Sequence, residues 1–178
     1  MAYYYLGASL PAVLFSTKPA LTWEEFLEYS KGALPENKYH FLSSLSLEME
    51  GDLPSGASPL IEKYQAFERS LHRQLARLRK KNHDLAGEVP EDEGIDPPNY
   101  VVKNLYPGSN PLELEEKLDA LRWSKIEDLS AGHFFDWTFL ESYALKLQLA
   151  WKIQNRTPER GREARERAYQ SILSQIKD

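Results

Sequence analysis

The sequence contains no cysteine. Disulfides, thiolate zinc sites and cysteine nucleophiles are therefore excluded, and no residue pattern points to an oxidising compartment. Phosphate-cradling glycine patterns are missing too. The run Leu6-Gly7-Ala8-Ser9 has a single glycine and no Gly-Lys-Ser/Thr after it, so neither a P-loop nor a dinucleotide fingerprint is present. Ser9 and Ser130 lack the flanking glycines of a nucleophile elbow. Long apolar runs are scarce. Residues 3–15 are largely apolar, but no Lys or Arg precedes them, Pro11 interrupts them, and they fall well short of the roughly 20 residues that span a bilayer. The next stretch, 137–153, carries Glu141, Lys146 and Lys152. The expectation is a chain without a transmembrane segment, cytoplasmic and at most peripheral to the cytoplasmic face of a membrane. Basic charge is also in deficit, with 22 Lys and Arg against 27 Asp and Glu. That balance argues against a specific nucleic acid as the main partner, because phosphate binding normally needs a basic excess.

What the sequence does hold is helical patterning. The hydrophobic fraction of 42% suffices for a core, and the length of 178 residues suits a single helical domain over 1–178. Thr22 followed by Glu25 is a capping box, opening a helix with Trp23, Phe26, Leu27 and Leu34 on one side and Gly32 and Pro35 at its end. A second helix is expected from Pro35, using Tyr39, Leu42, Leu45 and Met49, before a turn-rich break at 51–56. Residues 58–83 form the clearest pattern: Ser58 as cap, Pro59 in the first turn, then Leu60, Tyr64, Phe67, Leu71, Leu75 and Leu78 at spacings of three and four. So narrow a seam needs a partner helix, either in this chain or in another protein. Asn110-Pro111 opens a helix with Leu114, Leu118 and Leu121, and Ser124 with Glu127 suggests a further short helix ending at Gly132. Residues 138–155 are apolar nearly all round, which places that helix in the middle of a bundle. Thr157-Pro158 predicts a terminal helix with Ala164, Ala168, Ile172 and Ile176 in its stripe, so that 136–177 supplies long helix. Two segments read otherwise. Tyr3-Tyr4-Tyr5-Leu6 suggests a small N-terminal β element, since aromatics favour strands. Residues 86–110, with four prolines and acids at Glu88, Glu91, Asp92, Glu93 and Asp96, read as an acidic Pro-rich loop in which Tyr100-Val101-Val102 predicts a short strand. The expected fold is thus mainly α, a helical bundle with long helices.

Candidate sites are few. His40, His72, His83 and His133 stand far apart, and no pair has the i, i+4 spacing of two metal ligands on one helix face. His133 and Asp136 are close enough to face one another, and a helix start is the simpler reading of them. Glu24/Glu25 and Glu115/Glu116 lie at helix starts, where acids complement the macrodipole. The expectation is a protein without catalytic, cofactor or metal residues. Arg69, Arg73, Arg77 and Lys80 recur at spacings of four and three, a basic stripe beside the leucine seam and a candidate partner-binding face. A second basic cluster, Arg156, Arg160, Arg162, Arg165 and Arg167, is diluted by Glu159, Glu163 and Glu166. Both also read as solvated helix faces.

The opening Tyr3-Tyr4-Tyr5-Leu6-Gly7-Ala8-Ser9-Leu10-Pro11, then Lys18-Pro19 and Trp23-Glu24-Glu25-Phe26, resembles an uncharacterised bacterial family encoded among the subunits of V-type (A/V-type) ATPases. Phe135-Asp136-Trp137, the 141–152 segment and the Arg-rich stretch after Pro158 extend the resemblance over nearly the whole chain. The resemblance implies a non-catalytic structural or coupling component of a rotary ATPase that transports protons or sodium, with V-type ATPase subunits as partners. It also implies a place at the central stalk, as a short counterpart of the all-helical adaptor that joins the rotor shaft to the membrane ring. The alternative from the residues alone is an adaptor that binds RNA or an anionic surface through Arg69, Arg73, Arg77 and Lys80.

Overall fold

A computed structural model describes residues 2–47, 57–82, 96–105, 110–156 and 166. Seven α-helices and no strand occur among them: α1 (Ala2–Ser9), α2 (Trp23–Ala33), α3 (Glu36–Ser44), α4 (Pro59–Asn82), α5 (Asn99–Leu105), α6 (Pro111–Ser130) and α7 (Trp137–Gln154). The chain is a mainly α bundle, and its helices start where local chemistry says they should. Thr22 Oγ1 accepts from Glu25 N while Glu25 Oε2 accepts from Thr22 N, closing the capping box of α2. Asn110 Oδ1 accepts from Glu113 N with Pro111 following it, and Asp136 Oδ1 accepts from Phe139 N at the start of α7.

Helix α7 occupies the middle. Leu140, Ala144, Leu145, Leu147, Leu149 and Ala150 are fully buried, against α1, α4 and α6. Its polar side chains tie down irregular backbone, which must find hydrogen bonds when it packs on a core. Tyr143 Oη donates to Pro11 O at 3.0 Å, and Trp151 Nε1 donates to Leu21 O at 2.8 Å. Gln148 works in both directions, donating to Leu45 O at 2.8 Å and accepting from Leu47 N at 2.7 Å. Residues 10–22 thus form a strap lying along α7.

The seam of α4 closes inside this chain, with Leu60, Tyr64, Phe67, Leu71 and Leu75 all buried and α5, α6 and α7 as its partners. The buried face is wider than the leucine spacing suggests, because Glu68 and Gln74 go in with it. Arg122 of α6 makes two hydrogen bonds to Glu68, Nε to Oε1 at 2.8 Å and Nη2 to Oε2 at 3.3 Å, and donates to Asp119 Oδ1 at 3.0 Å. Tyr64 Oη donates to Glu68 Oε1 at 3.1 Å. Lys152 on α7, 3.6 Å away, and Arg156 beyond it also reach Asp119. Burial alone would lower the Arg122 pKa, but the charge of Glu68, its hydrogen bonds and Asp119 outweigh it and hold the guanidinium ionised. Burial and the Glu68 charge push the Tyr64 phenol well above its usual range, keeping it a donor.

Three expectations are corrected. Tyr3-Tyr4-Tyr5-Leu6 is helical, not a β element: Tyr3, Leu6 and Leu10 turn inward at helical spacing while Tyr4 and Tyr5 stay outside. Tyr100-Val101-Val102 lies in α5, with Val102 buried against the bundle. Ser124 and Glu127 start no new helix, because buried Leu118, Arg122, Trp123 and Ile126 continue one face through α6, which ends before Gly132 at φ +81°. Of the acidic loop at 86–110, residues 96–105 and Asn110 are described, with Lys125 paired to Asp96. The acids at 88–93, Met49 and the break at 51–56 lie outside the described residues. So does the terminal helix from Thr157, apart from helical Glu166.

The Glu68–Arg122 pair makes a sharp stability prediction. Glu68→Met leaves the buried Arg122 with Asp119 alone, and Arg122→Met leaves the buried Glu68 carboxylate with Tyr64 and His72 only, each at a cost of up to about 3–5 kcal/mol. The double substitution costs less than either single change, read as urea-unfolding free energies. A double mutant at the sum of the singles would contradict this.

Candidate interaction surface

The residues of the basic stripe do not converge on a site. Arg69, Arg73 and Lys80 are exposed along α4, whereas Arg77 is half-buried and its Nε is enclosed without a hydrogen-bond partner. Arg69 Nη2 donates to Gln65 Oε1, and Arg73 Nε donates to Arg69 O at 3.4 Å, so two of the guanidiniums lie along their own helix. Of the second basic cluster only Arg156 is described, and it is engaged by Asp119.

Each described histidine meets a carboxylate: His40 Nε2 lies 3.5 Å from Glu36, His72 Nε2 3.6 Å from Glu68, and His133 Nδ1 2.7 Å from Asp136. No group of three or more His, Cys, Asp or Glu able to hold a metal occurs among the described residues. Burial would raise the Asp136 pKa, but hydrogen bonds from His133 and the Phe139 N–H hold the carboxyl below its usual range. Asp136 therefore works as a charged cap on α7, with the His133 ring at its other oxygen. His83 lies outside the described residues.

An arrangement not anticipated from the sequence stands at the α7 N-terminus. Helix α1 lies over the turn between α6 and α7, bringing together aromatics more than 120 residues apart. The Tyr3 and Trp137 ring centres are 5.9 Å apart, and those of Tyr4 and Phe135 5.1 Å. Gly7 permits this approach: a Cβ there would come within 3.1 Å of both Phe135 and Phe139. A ladder of rings then runs inward, Phe135 to Phe139 at 6.0 Å, Phe139 to Tyr143 at 6.2 Å and Tyr143 to Phe26 at 5.3 Å. Its outer end stays in water, with Tyr4 56%, Tyr5 68%, Phe134 75% and Phe135 40% exposed. Phe135 adopts φ +58°, a left-handed conformation costing roughly 1–2 kcal/mol for a residue with a Cβ. Beside these rings an open groove of about 390 Å³ runs between the strap and the turn, lined by residues 10–13, His133, Phe134, Ser142, Tyr143 and Lys146. Leu14 and Phe15, further along the strap, are also exposed, and the Phe15 ring lies 5.5 Å from that of Trp123.

The chain matches no family model, no curated protein and no solved structure. No described helix is long and apolar enough to cross a membrane.

Below the aromatic end lies a buried conflict. Glu141 is fully buried, and neither carboxyl oxygen has a hydrogen-bond partner; the Trp137 indole N–H is likewise unpartnered. Burial raises the Glu141 pKa, while the Ser58 hydroxyl and the Trp137 indole, near the carboxyl but outside good hydrogen-bond geometry, and the Lys38 charge pull it part of the way back. A raised folded-state pKa means that the fold binds a proton more tightly than the unfolded chain does. Stability from this group is therefore greatest below the unfolded value of about 4.3 and falls as pH rises through the folded pKa. Glu141→Met is expected to stabilise the chain at pH 7 by about 1–3 kcal/mol. Its advantage should shrink as the pH is lowered toward about 4.3, read from urea unfolding at both ends of that range. An advantage that grows on acidification would contradict the assignment.

Proposed function

We propose that this chain is a non-catalytic structural or coupling component associated with a bacterial V-type ATPase, at the central stalk. The observation that carries the reading is a spatial one. Residues 3–11 and 135–137, two of the segments on which the resemblance to the ATPase-linked family stands, pack together as one exposed aromatic end. The rest suits a part that transmits force. Its helices are cross-tied by buried ion pairs and by α7 side chains holding irregular backbone, so a load applied at one end is passed through packed elements and not lost in bending.

The test is purification of the tagged chain from its native host in mild detergent. V-type ATPase stalk and ring proteins recovered in constant ratio would support the assignment. Reconstitution of a fully coupled ATPase lacking the chain would contradict it.

The exposure of Arg69, Arg73 and Lys80 supports a second reading, an adaptor for RNA or an anionic surface. Under that reading, reversing these charges to Glu abolishes retention on RNA at low salt; under the first, wild type and variant are retained equally little.

A further inference from the structure

We infer that Glu141, Trp137 and Lys38 form a pH-sensitive latch under α1, closed while the Glu141 carboxyl is neutral and loosened when it ionises. The inference goes beyond the ATPase assignment and does not rest on it.

The starting point is an unmet demand for hydrogen bonds in a dry place. Glu141 is fully buried, neither of its oxygens has a hydrogen-bond partner, and the Trp137 indole N–H has none either. A neutral carboxyl tolerates such a place far better than a carboxylate, which must recruit donors or a cation when it forms. Both kinds of partner are within a helical turn. Trp137 and Glu141 stand at i and i+4, on one face of α7. The half-buried Lys38 of α3 holds its ammonium 4.1 Å from the centre of the Trp137 ring. When Glu141 ionises, the indole N–H turns to the carboxylate as a charge-assisted donor. The ammonium leaves the ring face for the full negative charge, the stronger of its two attractions.

Both movements act on α1. Tyr3 of α1 packs on the Trp137 ring at 5.9 Å, and Phe41 of α3 lies against the same ring at 5.7 Å. An indole turned toward Glu141 gives up the Tyr3 contact. Helix α1 has only 8 residues, and a helix so short holds in water only through its packing. Loss of one of its ring contacts therefore opens it more readily.

The surroundings set where the latch operates. Asp136 at the α7 cap, with the His133 ring on its other side, opposes a second negative charge. Lys38 from α3 favours it, and Ser58 at the start of α4 offers a hydroxyl. From α1 the titratable group nearest the indole is the Tyr3 phenol, which is neutral through this range.

The test is an NMR titration of the isotope-labelled full chain from about pH 4 to about pH 8. The expected result is that the Glu141 carboxyl carbon titrates above the ordinary carboxylate range and that the Trp137 indole N–H resonance moves at the same midpoint. Hydrogen-exchange protection of the α1 amides should fall roughly tenfold as the pH rises through that midpoint, while α6 keeps its protection. Glu141→Gln should hold the indole still and α1 protected throughout. Lys38→Met should raise the midpoint by about one pH unit, since the carboxylate loses its cation. In His133→Asn the indole movement should persist, which separates Glu141 from the neighbouring imidazole. A Glu141 carbon that titrates in the ordinary range, an indole that moves at another midpoint or stops moving without His133, or α1 protection indifferent to pH would overturn the inference.

Discussion

Arg122 lies between Glu68 and Asp119 with almost no access to water, and helices from three parts of the chain meet around it. An ion pair in such a place contributes little net free energy, since desolvating the charges costs about as much as their attraction returns. What it does fix is register. Sliding α4 past α6 by one residue would take the buried Glu68 carboxylate away from the Arg122 guanidinium, which is far costlier than the same slip in a purely apolar seam. Lys152 and Arg156 extend the same tie to the end of α7. With α4, α6 and α7 set, the remaining elements are positioned by what they touch on α7: the strap through Tyr143 and Trp151, residues 45–47 through Gln148, and α1 through Trp137 and Phe139.

Unmet polar demand remains at several places, Gln74 Oε1 and Arg77 Nε on α4 among them, and the α7 N-terminus is one of these. Around Arg122 the buried charges have hydrogen-bond partners; at the α7 N-terminus Glu141 and Trp137 keep buried polar atoms without them, and Phe135 holds a left-handed backbone. Evolution tolerates such costs at working surfaces more readily than elsewhere. The same end displays the exposed rings, so the cost and the candidate surface coincide.

The helix starts are legible in the sequence because caps are local. Thr22 with Glu25, Asn110 before Pro111 and Asp136 before Phe139 act within four residues, where sequence and structure are nearly the same thing. The burial of α7 is legible from its all-round apolar composition. At Tyr3-Tyr4-Tyr5 strand propensity points to the wrong element, although Tyr3, Leu6 and Leu10 already carry the helical spacing. Ser124 with Glu127 imitates a capping box inside a helix whose buried face simply continues. The ionic tie is invisible for a different reason. Glu68, Asp119 and Arg122 look like ordinary solvated helix residues until the fold brings α4 against α6 across 54 positions. The aromatic end is likewise illegible: its rings come from opposite ends of the chain, and no local rule connects them.

The buried charges bind α4, α6 and α7 into one cooperative unit, on which the aromatic end is mounted. Native-state hydrogen exchange tests it directly. Amides near Glu68, Arg122 and Leu149 are expected to exchange only through global unfolding, with one shared free energy and one shared denaturant dependence, while α1 opens at lower cost. Exchange of the α4 amides through a separate, cheaper opening would contradict it.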